Sequence, residues 1–313
     1  MNIHAVAILA LTLSAGVGRL TINRLTDWAE ATGRSLTDLM DGPEQDLYEV
    51  VPVELGGGAD ALVRCSEGNL SRARSLIERV EKLGGQVISR LDGDYPKGLA
   101  ASLGDAAPPL LFVAGNFDLL HTENAGIVGT RRPSATGVHL AEQCARTFCE
   151  AGVPVLSGGA VGVDMVAHEG ALRAGGQTVV VLPQGLLTYR VPKELLGATE
   201  EGDVLLVSEF SPDAKWSTPG ALTRNATIAA LCRLVCVIEP GETGGSLGTA
   251  RHALDQMKHV VVHGRKGGER AAKALEGRGA VRLLDEDGRF SSERLLEAWA
   301  AVLPKPVEQS DLF

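Results

Sequence analysis

The chain has 313 residues, 44% of them hydrophobic and 22% charged, which excludes a disordered or fibrous polypeptide and allows one large domain plus a small one. Its formal net charge of −9 excludes a broad basic surface for duplex DNA and leaves room only for a local basic stripe. The five cysteines, at 65, 144, 149, 232 and 236, have neither CxxC nor zinc spacing, so they read as small buried apolar residues of a protein in a reducing cytoplasm, with no metal site.

The opening stretch, MNIHAVAILALTLSAGVG, carries no Lys or Arg ahead of its apolar run, so it reads as a buried first helix rather than a signal peptide. No run in the chain reaches membrane-spanning length. Residues 4–13 and 18–31 are expected as two helices joined by the glycine turn SAGVG. SLTDLM and NLSRARSLIERVEKLG add helical periodicity; Leu70, Ala73, Ile77, Val80 and Leu83 recur every three or four residues and form one apolar face. EVVPVELGGGAD, between them, reads as an irregular loop. Residues 1–83 are thus expected to form a small helical domain.

From Gln86 the texture changes. QVISRL, PLLFVAGN, AGIVGT, VPVLSGG, TVVVLPQG, DVLLVSEF, RLVCVIEPG, HVVVHG and AVRLL are short apolar runs, most of them ending at glycine, proline or serine. The helix-like stretches GVHLAEQCARTFCEAG, DMVAHEGALRAGG, ALTRNATIAALC and SLGTARHALDQMK lie between several of them. Continuous apolar strands alternating with helices imply a mostly parallel sheet covered on both faces. Residues 84–303 are therefore expected as an α/β, doubly wound, Rossmann-like domain that binds ligands at the carboxyl ends of its strands. Residues 304–313, with two prolines close together, read as a free tail.

Several strand ends carry chemistry. GIVGTRRPS places Arg131 and Arg132 just past a strand, following Gly129 and Thr130; the planar guanidinium suits phosphate. SGGAVGVDMVAHEGAL offers Ser157, Gly158, Gly159 and Gly162, whose backbone can approach an anion closely. Asp164 is expected to cap a helix beginning at Met165, and His168, four residues on, to pack rather than to act as a base. TPGALTRNATIAALC offers Arg224 and Asn225 near a helix start, with Trp216 in the preceding loop as a base-stacking or packing residue. EPGETGGSLGTARHA supplies Gly244, Gly245, Ser246, Gly248 and Thr249. No GK[ST] follows, so this is not a Walker loop, and GTRRPSATG is not GxGxxG.

These stretches, in this order, resemble the DNA-processing protein A (DprA/Smf) family over nearly the whole chain. LALTLSAGVGRLTINRL looks like the family's helix–hairpin–helix-like N-terminal domain, and LDGDYPKGLAASLGDAAPPLLFVAGN like the lead-in to its extended Rossmann-like domain. IVGTRRPSATG is similar to VGSRxxSxYG, and SGGAVGVDMVAHEGAL to SGxAxGIDxxAHxxAL; VSEF, TRNATIAAL and TGGSLGTA follow in family order. The resemblance implies a cytoplasmic, non-catalytic bacterial protein without cofactor. Such a protein binds single-stranded DNA, hands it to the RecA recombinase in natural transformation, and pairs as a homodimer. By matching position, Arg131 and Arg224 would contact phosphate, while Gly129, Ser157, Gly158, Gly245 and Ser246 would form a backbone cradle. Two positions depart from the family pattern. RNR reads Arg224-Asn225-Ala226, and Tyr-Pro-x-x-Asn reads TYRVPKE, where Arg190 and Lys193 supply charge instead. The expected interface is Gly129, Thr130, Arg131, Arg132, Ser157, Gly158, Gly159, Arg190, Lys193, Arg224, Asn225, Gly244, Gly245, Ser246 and Thr249.

The last five residues, Gln309, Ser310, Asp311, Leu312 and Phe313, are similar to the pentapeptide by which bacterial proteins dock on the DNA polymerase sliding clamp. Leu312 and Phe313 would be apolar anchors and Gln309 would fix register. The alternative function is a small-nucleotide sensor or phosphoribohydrolase of the lysine-decarboxylase-like LOG type. That family's PGGxGTxxE is replaced here by TGGSLGTARHA, with His252 three residues past Thr249 instead of Glu. The acid–base carboxylate is displaced, and Glu239 and Glu242 would substitute only if the loop folded back.

Overall fold

A computed structural model describes residues 3–266 and 268–301. Its nine strands are β1 (Gln86–Ser89), β2 (Leu110–Gly115), β3 (Asn124–Gly129), β4 (Val155–Ser157), β5 (Thr178–Leu182), β6 (Val204–Ser208), β7 (Cys232–Ile238), β8 (His259–His263) and β9 (Val281–Arg282). Each falls on one of the apolar runs read from the sequence. The fold is α/β and Rossmann-like, with an N-terminal helical region. Two compact units can be separated. The first holds the described residues up to Gly115, with Leu182–Arg190 and Leu206–Gly220; the second holds Asn116–Val181, Val191–Leu205 and the described residues from Ala221 onward.

In the first unit the helices Ile3–Leu13 and Arg19–Ala31 flank a turn in which Gly16 has φ 75°. Seven consecutive residues of the first helix, Ala5 to Leu11, are buried, as an all-round apolar helix requires. It packs on the helix Glu67–Lys82, capped by Ser66, whose hydroxyl accepts from Asn69 N at 3.2 Å. Leu70, Ala73, Leu76, Ile77 and Val80 form the buried face of that helix. Leu83, expected on the same face, is 66% exposed because it lies beyond the last turn, at the C-cap. The stretch read as an irregular loop is mostly helical: the end of Glu44–Val50, a 3-10 turn Val53–Leu55 and the start of Gly58–Val63. Gly56 and Gly57, at φ 60° and 86°, make the left-handed link between the last two. β1 and β2 pair antiparallel, from Gln86 opposite Val113 to Ser89 opposite Leu110.

In the second unit the strands run parallel in the order β5-β4-β3-β7-β8-β9. The chain winds outward from β3 in one direction and from β7 in the other, so the switch point lies between these two. One face of the sheet, with Ala125, Ile127, Leu234, Cys236 and Ile238, packs against Leu140, Phe148, Ala167 and Leu295 of three covering helices: Ala135–Glu150, Val163–Arg173 and Ser292–Ala300. The alternate residues Val128, Val235 and Val237 are also buried; by the two-residue period they face the other side, where the helix Gly245–Asp255 packs on β3, β7 and β8. Phe148 meets Trp299 edge to face at 5.6 Å. The helices Lys193–Glu201, Arg270–Glu276 and Ser292–Ala300 were not anticipated. All five cysteines are free; 144, 232 and 236 are buried, and 65 and 149 half-buried. No helix among the described residues is long and apolar enough to cross a membrane.

His168 packs, as expected, in the interior. The Thr178 hydroxyl donates to Val155 O at 2.8 Å, so it accepts from His168 Nδ1–H at 2.7 Å. Burial, with a smaller push from the Arg224 charge, drives the imidazole pKa down to about 3. The unfolded chain therefore binds a proton that the folded chain refuses between that value and the ordinary 6.5, so stability falls as pH drops through this window. The urea midpoint of the wild type should decline between pH 7 and pH 5, and the decline should be shallower in His168→Gln. Equal slopes would show that the folded state accepts the proton.

Candidate functional site

The site is built from the loops at the carboxyl ends of β3, β4 and β7. β3 ends on Gly129, where a Cβ would lie 2.3 Å from Ile238 O and 2.6 Å from Val163 Cγ2. Only glycine lets the strand end so close to its neighbours. Thr130 N then donates to Ile238 O at 3.1 Å, and Thr130 O accepts from Val163 N at 3.2 Å. The turn rests directly on Gly162, which has φ 91° and whose Cβ would stand 2.5 Å from Thr130 O. Arg132 N donates to Thr130 Oγ1 at 3.2 Å. The backbone of the turn is thereby fixed from three sides, and the side chains of Arg131 and Arg132 are exposed.

Behind this turn sits a buried polar centre. Asp164, 7% exposed, accepts from Gly158 N at 3.2 Å and Ala160 N at 3.4 Å, and the Gly129 amide also bonds to it. Burial holds its carboxyl above the ordinary carboxylate range, against the opposing pull of Arg224 and these amides. Arg224, 6% exposed, donates from Nη1 to Gly158 O at 2.7 Å and to Val181 O. A Cβ on Gly158 would lie 2.5 Å from that Nη1. Asp164 is therefore not the cap of a helix beginning at Met165. The helix starts at Val163, and the carboxylate turns back to amides that precede it. The expected role of Arg224 also changes: its guanidinium is turned into the framework. Ser157 is fully buried, and its hydroxyl donates to Ile127 O at 2.6 Å.

The turn after β7 belongs to the same strand ends. Gly244, exposed, adopts φ 114° and ψ −173°, open only to glycine, and the helix Gly245–Asp255 begins with no side-chain cap. The first-turn amides of Gly245, Ser246 and Leu247 have no acceptor within their own helix. Asn225 Nδ2 donates to Gly245 O at 3.2 Å and Thr249 Oγ1 to the same oxygen at 3.1 Å, which fixes the turn from behind. Gly129, Thr130, Arg131, Arg132, Ser157, Gly158, Gly159, Arg224, Asn225, Gly244, Gly245, Ser246 and Thr249 thus all belong to the second unit. Lys193 is there too, exposed at the start of its helix and 4.0 Å from Glu194. Arg190 belongs to the first unit, on a segment stitched to the loop bearing Trp216: Gly185 N donates to Ala214 O at 2.8 Å and Leu187 N to Pro212 O at 2.9 Å. Arg190 is exposed and Trp216 is 51% exposed.

Two carboxylates have roles that residue type alone did not disclose. Glu209, of VSEF, is buried and pairs in the first unit with Arg19, whose Nη1 also donates to Ala106 O at 3.0 Å. Glu239, 4% exposed, stands at the end of β7 with the left-handed φ of 50°. Its carboxylate accepts from Ser134 N at 2.9 Å and from the Ser134 hydroxyl, while its own N donates to His263 O at 2.7 Å. Its side chain is spent at the start of the helix Ala135–Glu150. Its only sequence signal is the Glu-Pro-Gly that closes the strand. Glu242 is exposed and loosely paired with Arg270 at 4.0 Å. Among the described residues no group of three or more His, Cys, Asp or Glu could hold a metal ion.

Residues 86–292 match the model of the family described as DNA recombination-mediator protein A. The chain is 32% identical over 263 residues to Protein Smf of Synechocystis, an alignment covering 80% of this chain and 62% of that one. It spans between 45% and 62% of the length of the curated relatives it matches. Among solved structures it is similar to DNA processing protein A from Streptococcus pneumoniae, with TM-score 0.73 and 27% identity over 95% of this chain and 98% of that one. It is also similar to the Helicobacter pylori DNA processing protein A solved to show its single-stranded DNA binding mode, with TM-score 0.57 and 27% identity over 68% and 96%.

The Asp164 centre makes a direct stability prediction. Asp164→Ala removes the acceptor of three amides, those of Gly158, Ala160 and Gly129, and a negative charge that acts on the buried Arg224, which should cost about 3–5 kcal/mol. Equilibrium denaturation measures it, and a loss below about 1 kcal/mol would mean that water replaces the carboxylate at no penalty.

Proposed function

We propose, from the premise that the chain belongs to the DNA recombination-mediator protein A family, that it binds single-stranded DNA across the carboxyl-end loops of β3, β4 and β7 and delivers the strand to a RecA-type recombinase. The observation that carries this reading is the pair of exposed guanidinium groups, Arg131 and Arg132, on a turn held rigid by Gly129, Gly162 and the Asp164 centre. Planar guanidinium groups projecting from a fixed backbone, and the uncapped helix amides after Gly244, each suit a phosphodiester chain. Gly159, Gly244, Gly245 and Ser246 complete the surface with backbone groups. Ser157, Gly158, Arg224, Asn225 and Thr249 shape it from behind. Arg190 and Lys193 add basic side chains on their own units, and Trp216 is a stacking platform for a base. No reaction is assigned to the site: the protein acts by holding, in the cytoplasm, as a homodimer, in transformation or recombination.

The alternative, a small-nucleotide sensor or LOG-type phosphoribohydrolase, draws support from the uncapped amides at Gly244–Gly245. Fluorescence anisotropy with oligonucleotides over a salt series separates the two. Strand binding should grow with length and weaken steeply with salt. Arg131→Ala with Arg132→Ala should lower affinity by about ten-fold or more, equally for every sequence, and flatten the salt slope by about one unit per arginine. Sequence-restricted loss would overturn the backbone reading. Release of ribose phosphate from a nucleotide, with no strand binding, would establish the alternative.

The residues Gln309–Phe313 lie outside the described residues, and their sequence alone supports docking on the sliding clamp. Deleting them should abolish pull-down of the clamp while strand affinity stays unchanged. Retained pull-down would remove the tail from the account.

A further inference from the structure

We infer that Glu239 is a resident anion: it closes the amino end of the helix Ala135–Glu150 to phosphate and makes the crevice select internal strand phosphodiesters over mononucleotides and phosphomonoester ends. This rests on the reading of the crevice as a strand-binding site.

On a doubly wound sheet, the helix that follows the first strand of the switch point aims its first-turn amides at a ligand's phosphate. Here that strand is β3 and the helix is Ala135–Glu150. A carboxylate already stands at its start, bonded to the capping residue Ser134. The Glu239 carboxylate accepts from Ser134 N at 2.9 Å and from the Ser134 hydroxyl, and Ser134 Oγ accepts in turn from Gly137 N at 3.1 Å. The helix is shaped around the carboxylate: a Cβ on Gly137 would lie 2.9 Å from Glu239 Cδ. Glu239 itself has a left-handed backbone, and its N–H donates to His263 O at 2.7 Å. A phosphomonoester dianion at this helix start would have to approach that carboxylate against like-charge repulsion, in space that the carboxylate already fills. An internal phosphodiester carries one charge and can lie along the exposed Arg131 and Arg132 on the outer side of the same turn, without entering the helix start.

The test uses the full chain with adenosine monophosphate and inorganic phosphate in calorimetry, and a labelled oligonucleotide in anisotropy. Wild type should bind both anions at least ten-fold more weakly than the variant that lacks the carboxylate, and should bind 5′-phosphorylated and 5′-hydroxyl oligonucleotides with equal affinity. Glu239→Gly removes the carboxylate and suits the left-handed backbone, so it should fold and gain at least ten-fold in affinity for both anions. Glu239→Gln keeps the shape without the charge and should gain less. Thermal melts confirm folding of each. Phosphate binding by the wild type that Ser134→Ala abolishes would overturn the inference, as would two folded variants without any gain. Failure of the wild type to bind the oligonucleotide would instead sink the strand reading, while the calorimetric comparison still decides whether Glu239 blocks phosphate.

Discussion

The Asp164 carboxylate ties the end of β3 and the loop after β4 to one point, and the backbone that carries Arg131 and Arg132 depends on where those segments stop. Removing a carboxylate from water costs several kcal/mol even after relaxation. The offset comes from amide hydrogens of Gly158, Ala160 and Gly129 and from the nearby Arg224 charge, each charge-assisted bond worth about 1.5–3 kcal/mol. Arg224 in turn donates to Gly158 O, so the short segment around Gly158 is bonded on its N–H side by an anion and on its carbonyl side by a cation. Such a segment has little freedom. That rigidity extends through Gly162 to Thr130 and hence to the backbone from which Arg131 and Arg132 project.

The fold was legible because parallel strands covered on both faces are continuous apolar runs. VVV in β5 and VCVI in β7 have no other plausible reading once glycine and proline bound them. The helices of residues 44–63 were not legible. Glu44–Val50 and Gly58–Val63 have only seven and six residues, too short for periodicity to register, and the intervening prolines and glycines signal a loop. At the site, residue type was readable and direction was not. Arg224 in TRNATIAAL is the same letter whether it faces solvent or Gly158 O. Ser157 in LSGG gives no sign that its hydroxyl is spent on Ile127. The one independent clue was the glycine beside each: Gly158 leaves room for a guanidinium, not for a phosphate.

Asp164 and Glu239 show a common device. Each is a nearly buried anion placed where a nucleotide-binding sheet would face its ligand's charge, and each consumes donors of a strand-end turn. What remains outward is mainly guanidinium and the uncapped amides after Gly244. Exposed guanidinium groups and backbone amides of that kind suit a polyanion that lies across them.

The net charge of −9 is unevenly distributed along the chain. Residues 36–60 contain Asp38, Asp41, Glu44, Asp46, Glu49, Glu54 and Asp60 and no lysine or arginine, so this one stretch supplies −7 of the total. All seven are exposed, and among the described residues none is in an ion pair. They belong to the first unit, while Arg131 and Arg132 belong to the second. The acidic helices are unsuited to a phosphate backbone themselves. The exposed guanidinium groups of Arg131 and Arg132 project instead from the turn that the Asp164 centre holds in place.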